Sequence, residues 1–375
     1  MEKKIFAIVM ALLVICGCLF LGVATAVAAE PAVTSKGAII INHTCTNRSQ
    51  IPELWISTAK EELHIAYGHT SHGSQLITGM DGLDAFLGNT GLFVWTDGPL
   101  AGYLDLDDYA FDKYGAYDLG NPDLTVWVQA TRDYLNDPDH LDVNVVVWSW
   151  CGQLSWMSSA EVTAYLNNMA FLETEYPAIT FVYMTGHLNI WDWTTTTTNN
   201  QQIRDYCLAQ NKILYDFADI ESYDPDGVFY EYANDDCTYY DDPAGSNCLG
   251  NWAQEWQSTH TEGARGAWYD CGYSDCCAHS EPLNCNQKAY AAWWLWARLA
   301  GWEHEDAPPT PTESRWDINE DCTVNFIDLT ILSAHWLEAP SAPFPRYDIN
   351  EDGVVNFIDL TILSAHWLET TCSGT

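Results

Sequence analysis

Four polar stretches hold the side chains of this sequence that could do chemistry. Gly68-His69-Thr70-Ser71-His72-Gly73-Ser74-Gln75, Ser149-Trp150-Cys151-Gly152-Gln153 and Thr185-Gly186-His187-Leu188-Asn189 each follow an apolar run, and Asp270, Asp275 and His279 precede a final helical pattern. Hydroxyl, imidazole and carboxylate together are the ingredients of acyl transfer: the imidazole takes the proton of an attacking hydroxyl, and the carboxylate fixes the imidazole tautomer. A different chemistry is written near the C-terminus, where Asp-Ile-Asn-Glu-Asp occurs twice. Calcium is a hard cation that takes about six to eight oxygens, and a loop with oxygen side chains at positions 1, 3, 5 and 12 wraps one ion. Asp317, Asn319, Asp321 and Asp328 fill those places in the first loop, and Asp348, Asn350, Asp352 and Asp359 in the second; Thr323 and Val354 stand at position 7, which gives a backbone carbonyl.

These groups need elements to hold them. From 62 to 302 short apolar runs alternate with helical patterns, which predicts βαβ units and a parallel sheet. Strands are expected at 63–67, 143–148, 179–184 and 213–217, and helices at 74–87, 159–175, 199–210 and 286–300. In such sheets ligands bind beyond the carboxyl ends of the strands, which is where the first three polar stretches fall. Residues 305–314 are proline-rich and read as a semi-rigid linker. Beyond it, 315–338 recurs as 346–369 with a 31-residue offset and three differences. The organisation expected is a leader at 1–29, an α/β domain at 35–304, the linker at 305–314 and a duplicated calcium-binding module at 315–370.

The leader is read from Lys3 and Lys4 ahead of an apolar run at 5–23 and a small-residue cleavage site near Ala26-Val27-Ala28. A retained anchor, or a lipoprotein-type signal around Cys16 and Cys18, are the alternatives. No other stretch approaches a membrane span. With 52 acidic against 14 basic residues the net charge is -38, which repels nucleic acid phosphates and anionic membranes. Of 13 cysteines, Cys16 and Cys18 lie in the leader, which leaves 11, an odd number, for an exported chain in which loop-stapling disulfides are expected. Zinc at 271–285 is disfavoured because the adjacent Cys276 and Cys277 break the paired spacing of zinc modules.

The two loops, each followed by one helix expected at 329–337 and its repeat, resemble a type I dockerin over essentially all of 315–370. The resemblance implies two calcium ions, a small all-α fold and a cohesin partner on a scaffold or cell surface, with Phe326-Ile327 and Phe357-Ile358 at partner-contact positions. Position 6, normally glycine, holds Cys322 in the first loop. Because dockerin termini lie close together, the resemblance suggests that a Cys322–Cys372 disulfide offsets that departure.

The main domain resembles the SGNH/GDSL hydrolases over about 62–302. The likeness rests on the 142–154 strand and block, on 177–185, and on His279-Ser-Glu-Pro-Leu-Asn284 ahead of a closing helix. It implies a three-layer αβα, flavodoxin-like sheet. Its departures are His69-Thr70-Ser71 for Gly-Asp-Ser, Gly152-Gln153 for Asn-Asp, and Asp275 four residues before His279 rather than three. On this resemblance Ser71, in a His-x-Ser-x-Gly setting, is the nucleophile, His279 the base and Asp275 the orienting acid, with Asp270 or no acid as alternatives. The backbone N–H groups of Ser71 or Gly152 and the Gln153 side chain would form the oxyanion site, with His69, His187 and Asn189 toward substrate.

The function expected is a secreted carbohydrate esterase that removes acyl groups from a polysaccharide while docked to cohesin, with no cofactor for catalysis. Two alternatives stand beside it. One is a metal-dependent hydrolase using His69, His72, His187 and His279 as ligands. The other is a non-catalytic glycan-binding or structural module, to which 18 Trp, 20 Tyr and 12 Phe could contribute sugar-stacking faces.

Overall fold

The computed structural model describes residues 37–261, 268–270, 277–304, 315–319, 323–340, 345–349 and 354–367. The chain divides into two compact units, Met1–Trp296 and Ala297–Thr375. The leader, the linker, Cys322 and Cys372 lie outside the described residues.

In the first unit the strands are β1 (Ile39–Ile41), β2 (His64–Gly68), β3 (Trp95–Thr96), β4 (Leu104–Asp108), β5 (Val145–Trp148), β6 (Thr180–Met184) and β7 (Ile213–Tyr215), with a separate hairpin of β8 (Thr238–Tyr240) and β9 (Cys248–Asn251). The helices are α1 (Glu53–Glu62), α2 (Ser74–Phe86), α3 (Val126–Leu135), α4 (Ser159–Glu175), α5 (Trp193–Ala209), the single turn α6 (Phe217–Ile220), α7 (Trp252–Thr259) and α8 (Pro282–Leu299). Seven strands form one parallel sheet in the order β1-β7-β6-β5-β2-β4-β3. The chain leaves β2 for β4 on one side and returns to β5 on the other, so the strand order reverses between β2 and β5. That reversal opens a crevice at their carboxyl ends.

A parallel sheet is covered on both faces, so its central strands are apolar throughout. All four residues of β5 are buried. Val146, Trp148, Phe181 and Tyr183 face a core built with Trp127 and Tyr134 of α3, Val162, Tyr165 and Met169 of α4, and Ile203 of α5. The alternate residues turn to the opposite face. There the Tyr215 hydroxyl donates to the Lys288 carbonyl of α8 at 2.7 Å. Helix α2 meets α8 closely at Gly79, where an added Cβ would come within 2.0 Å of the Cys285 carbonyl oxygen. The unit is therefore three-layered, as expected.

The four expected strands and four expected helices are all present, with shifted ends. Helix α5 begins at Trp193 rather than 199, and Phe217 starts α6 instead of ending a strand. Helix α4 starts on a capping box between Ser158 and Glu161, which satisfies its first free N–H groups. Cys277 and Cys285 are joined as a disulfide. Among the described residues Cys45, Cys151, Cys207, Cys237 and Cys248 are thiols, and no helix is long and apolar enough to cross a membrane.

The second unit contains α9 (Phe326–Ala334) and α10 (Phe357–Ala365), so its first helix begins three residues before 329, at the side-chain cap of Asn325. Ile318, Val324, Leu332 and their counterparts Ile349, Val355 and Leu363 form its core. The duplication is mirrored in the contacts. Arg315 donates to the Asp348 carbonyl and Arg346 to the Asp317 carbonyl, both at 2.8 Å. Trp316 stacks on His366 and Tyr347 on His335, at 3.8 and 3.7 Å between ring centroids.

Candidate functional site

The loop after β2 is tightly built. Thr70 is extended, Ser71 has φ 33° and Gly73 starts the turn into α2. A Cβ at Gly73 would lie 2.3 Å from the Ser149 hydroxyl and 2.4 Å from His69 Cβ, so no other residue fits. The Tyr67 hydroxyl donates to the Gly73 carbonyl at 2.9 Å, and the Ser74 hydroxyl to the Ser71 carbonyl at 2.6 Å. His279, 208 positions later, also has positive φ, 60°. Such backbone costs about 1–3 kcal/mol per residue and persists only where the surroundings impose it.

These two strained residues meet. Ser71 Oγ and His279 Nε2 are hydrogen-bonded, with Ser71 half-buried and His279 exposed. Among the described residues no carboxylate hydrogen-bonds the other nitrogen of His279; Asp275 lies outside them and Asp270 is exposed. The backbone N–H groups of Ser71 and Gly152 make no hydrogen bond among the described residues. The Gln153 side chain is committed elsewhere: its oxygen accepts from Cys151 N at 2.8 Å and its amide donates to Asp118 at 3.0 Å. Asp118 is buried and also accepts from the Thr70 hydroxyl at 2.5 Å and Gly120 N at 2.8 Å, tying the loops after β2, β4 and β5 together.

The remaining histidines separate. His69 is buried with Nε2 on Asp108 at 2.6 Å, its ring tilted by 30° and 36° against those of Tyr67 and Tyr109, and so pins β2 to β4. His72 lies between His187 and His279, at 3.7 and 4.4 Å centroid separation, with Nε2 2.9 Å from Asp235 Oδ2. His187 holds its Nδ1 on the Leu188 carbonyl at 2.6 Å, and Asn189 caps the following turn through Trp191 N at 3.0 Å. Burial lowers His72 despite Asp235, and burial with the neighbouring His72 pushes His187 down to about 4. Burial alone would raise the Asp235 carboxyl, but the hydrogen bond from His72 and the adjacent imidazoles bring it below its usual range. His72, His187 and Asp235 are close enough to share an ion, yet the imidazole planes lie within 8° of parallel. Lone pairs lie in those planes, so a shared ion would require one ring to turn.

Behind the site runs a fully buried polar chain. Gln75 Nε2 donates to the Ala278 carbonyl, next to His279, at 2.5 Å, and Gln75 Oε1 accepts from Lys288 Nζ. Lys288 also donates to Glu221 Oε2 at 2.6 Å, and the other Glu221 oxygen accepts Leu188 N, next to His187. Nothing in the sequence marks Asp118, Asp235, Glu221 or Lys288 as parts of a site.

In the second unit Asp317, Asp328, Asp348 and Asp359 are buried. Asp328 accepts from Ile318 N at 2.7 Å and Asn325 N at 2.8 Å, and Asp359 from Ile349 N at 2.7 Å and Asn356 N at 2.8 Å, which folds each loop around its last acid. The carbonyls of Thr323 and Val354 each accept one side-chain amide at 2.9 Å. Asp321, Asn350 and Asp352 lie outside the described residues. Burying carboxylates at both ends of each loop is costly without a compensating cation, so the donor set fits a hard ion.

The chain thus pairs a parallel α/β unit, carrying a hydroxyl–imidazole contact at its switch point, with a duplicated acidic-loop helical module. Residues 315–371 match the dockerin type I domain, and this C-terminal segment is a type I dockerin. Dockerins bind calcium and imply a cohesin partner. No curated protein and no solved structure matches the chain.

Calcium should couple to the folding of this module. Chelation should abolish one thermal transition of the full chain and spare the other, because binding to the folded form alone adds stability. Asp348→Ala should halve the calcium bound in equilibrium dialysis. An unchanged melting profile after chelation would contradict the coupling.

Proposed function

We propose that the first unit is a serine ester hydrolase, a carbohydrate esterase of SGNH-like type, held by its dockerin on a cohesin-bearing scaffold outside the cell. The observation that carries the reading is the Ser71–His279 hydrogen bond at the carboxyl end of β2. The strand succession β4-β2-β5-β6-β7 supports it, being the 2-1-3-4-5 order of flavodoxin-like sheets, whose ligands bind at this crevice.

Ser71 Oγ attacks the ester carbonyl as His279 Nε2 takes its proton, and the N–H groups of Ser71 and Gly152 receive the oxyanion. Collapse returns the proton to the departing sugar hydroxyl. Water, deprotonated by His279, then releases the acyl group from Ser71. Asp275 is the acid this reading assigns to the second nitrogen of His279. Trp156 and Trp191, 61% and 68% exposed on the loops after β5 and β6, offer faces for sugar rings, which supports a polysaccharide substrate. In the dockerin, two calcium ions are assigned, one to Asp317, Asn319, Asp321, Thr323 and Asp328, the other to Asp348, Asn350, Asp352, Val354 and Asp359.

A serine-directed phosphonate separates this reading from its rivals. Labelling of Ser71 with loss of ester turnover supports it. Turnover that survives the phosphonate but is lost to a chelator would transfer the chemistry to a metal on the histidines. A folded protein with neither labelling nor turnover would be a binding module.

A further inference from the structure

A second set of reactive groups adjoins Ser71 and His279. Cys151 Sγ lies 3.6 Å from His72 Nδ1, and His72 Nε2 lies 2.9 Å from Asp235 Oδ2. An ionised carboxylate only accepts, so it fixes the His72 proton on Nε2 and leaves the Nδ1 lone pair facing the thiol. The His72 ring is held in place by stacking on both sides, against His187 and His279. Burial keeps His72 neutral, the form that can accept a proton. The arrangement is nucleophile, base and orienting acid in sequence.

An independent feature marks the space beside Cys151. His187 donates its Nδ1 proton to the Leu188 carbonyl, so its Nε2 carries a lone pair, and that atom makes no hydrogen bond among the described residues. The His187 side chain is more than nine-tenths buried, and its Nε2 would stand 3.7 Å from a Cβ placed on Gly152. An unpartnered acceptor on a largely buried ring thus lies beside the residue next to the thiol. The contrast with the other cysteines is chemical. Cys45, Cys207 and Cys237 are buried, and burial pushes the Cys237 thiol up to about 12, whereas Cys151 is half-buried.

We propose that Cys151, His72 and Asp235 form a second nucleophile set, a thiol that accepts the acyl group of an activated ester independently of Ser71. Cys151 Sγ attacks the carbonyl carbon, its proton passes to His72 Nδ1, the ester C–O bond breaks and the alcohol leaves as alkoxide or phenolate. A thioester remains on Cys151.

The test uses the full-length Ser71→Ala chain with p-nitrophenyl acetate, followed by peptide mapping. One acetyl group on Cys151, removable by neutral hydroxylamine, is expected. It should form about 100-fold faster than on Cys248, an exposed thiol of the same chain whose hydrogen bond is to the Gly250 carbonyl. Adding His72→Gln should bring the two rates together. Should that variant fail to fold, Asp235→Asn in the same background should slow Cys151 about tenfold or more, because the fixed tautomer is lost. Equal rates at Cys151 and Cys248, or a rate indifferent to Asp235→Asn, would overturn the proposal. Absence of ester turnover by the wild type, with Cys151 still acetylated, would count against the serine reading and leave this one standing.

Discussion

Ser71→Ala should lower turnover of an activated acetyl ester by about 10⁴-fold or more, equivalent to about 5 kcal/mol of transition-state stabilisation. The neighbouring hydroxyls are poor substitutes. Thr70 Oγ1 donates to the buried Asp118 and Ser74 Oγ donates to the Ser71 carbonyl, so each has its proton on an acceptor, and neither hydrogen-bonds an imidazole among the described residues. His279→Ala should cost nearly as much, and the double variant little more than either, because nucleophile and base act as one unit. Asp275→Asn should cost less. Gln153→Ala should act mainly by loosening Asp118, and so raise KM and lower the melting temperature together. Stopped turnover assays on variants checked by circular dichroism decide this. Full activity in a folded Ser71→Ala would remove Ser71 from the mechanism.

What the sequence made legible follows burial. Strand β5 was readable because both faces of a central parallel strand are covered, which leaves an unbroken apolar run. Strand β4, Leu-Asp-Leu-Asp-Asp, was not, since acidic residues are depleted in strands. Its carboxylates each have a distant partner: Asp105 meets His64 at 2.7 Å, Asp107 accepts the Tyr134 hydroxyl and Asp108 meets His69 at 2.6 Å. Helix α5 starts earlier than its sequence pattern predicts because its first turns are threonines 194–198, poor helix formers that tertiary packing overrides. At the site, the residues next to strand ends lie at one edge because the topology of a parallel sheet brings them there. Asp118 and Asp235 were not legible, for a chain with 52 acids gives no contrast by which two could stand out. The repeat in the second unit was legible throughout because a metal loop fixes residue type at each position.

Lys288→Met should destabilise the first unit by about 3–5 kcal/mol, the cost of leaving a buried charge without its partner. Lys288 and Glu221 are both 0% exposed, and the lysine also supplies Gln75 Oε1 with its donor. Adding Glu221→Gln should recover much of that loss, because it removes the unpaired buried charge while its amide oxygen can still accept the Leu188 N–H. The penalty should depend on pH with a definite sign. Burial pushes the Glu221 carboxyl up to about 7 against the pull of Lys288. A carboxyl raised in the folded state contributes stability below its unfolded value near 4.5, and that contribution is lost as pH rises through 7. In Lys288→Met the opposing pull is gone, so the carboxyl stays neutral to higher pH; the variant should be least destabilised at pH 5 and most at pH 8. Activity separates the roles of the network. The double variant should regain its melting temperature but not its turnover, since Gln75 and Glu221 hold the Ala278 carbonyl and Leu188 N–H that flank His279 and His187. Urea unfolding at the two pH values, with turnover measured beside it, tests both parts, and a double variant restored in stability and in turnover alike would reduce the network to a packing feature.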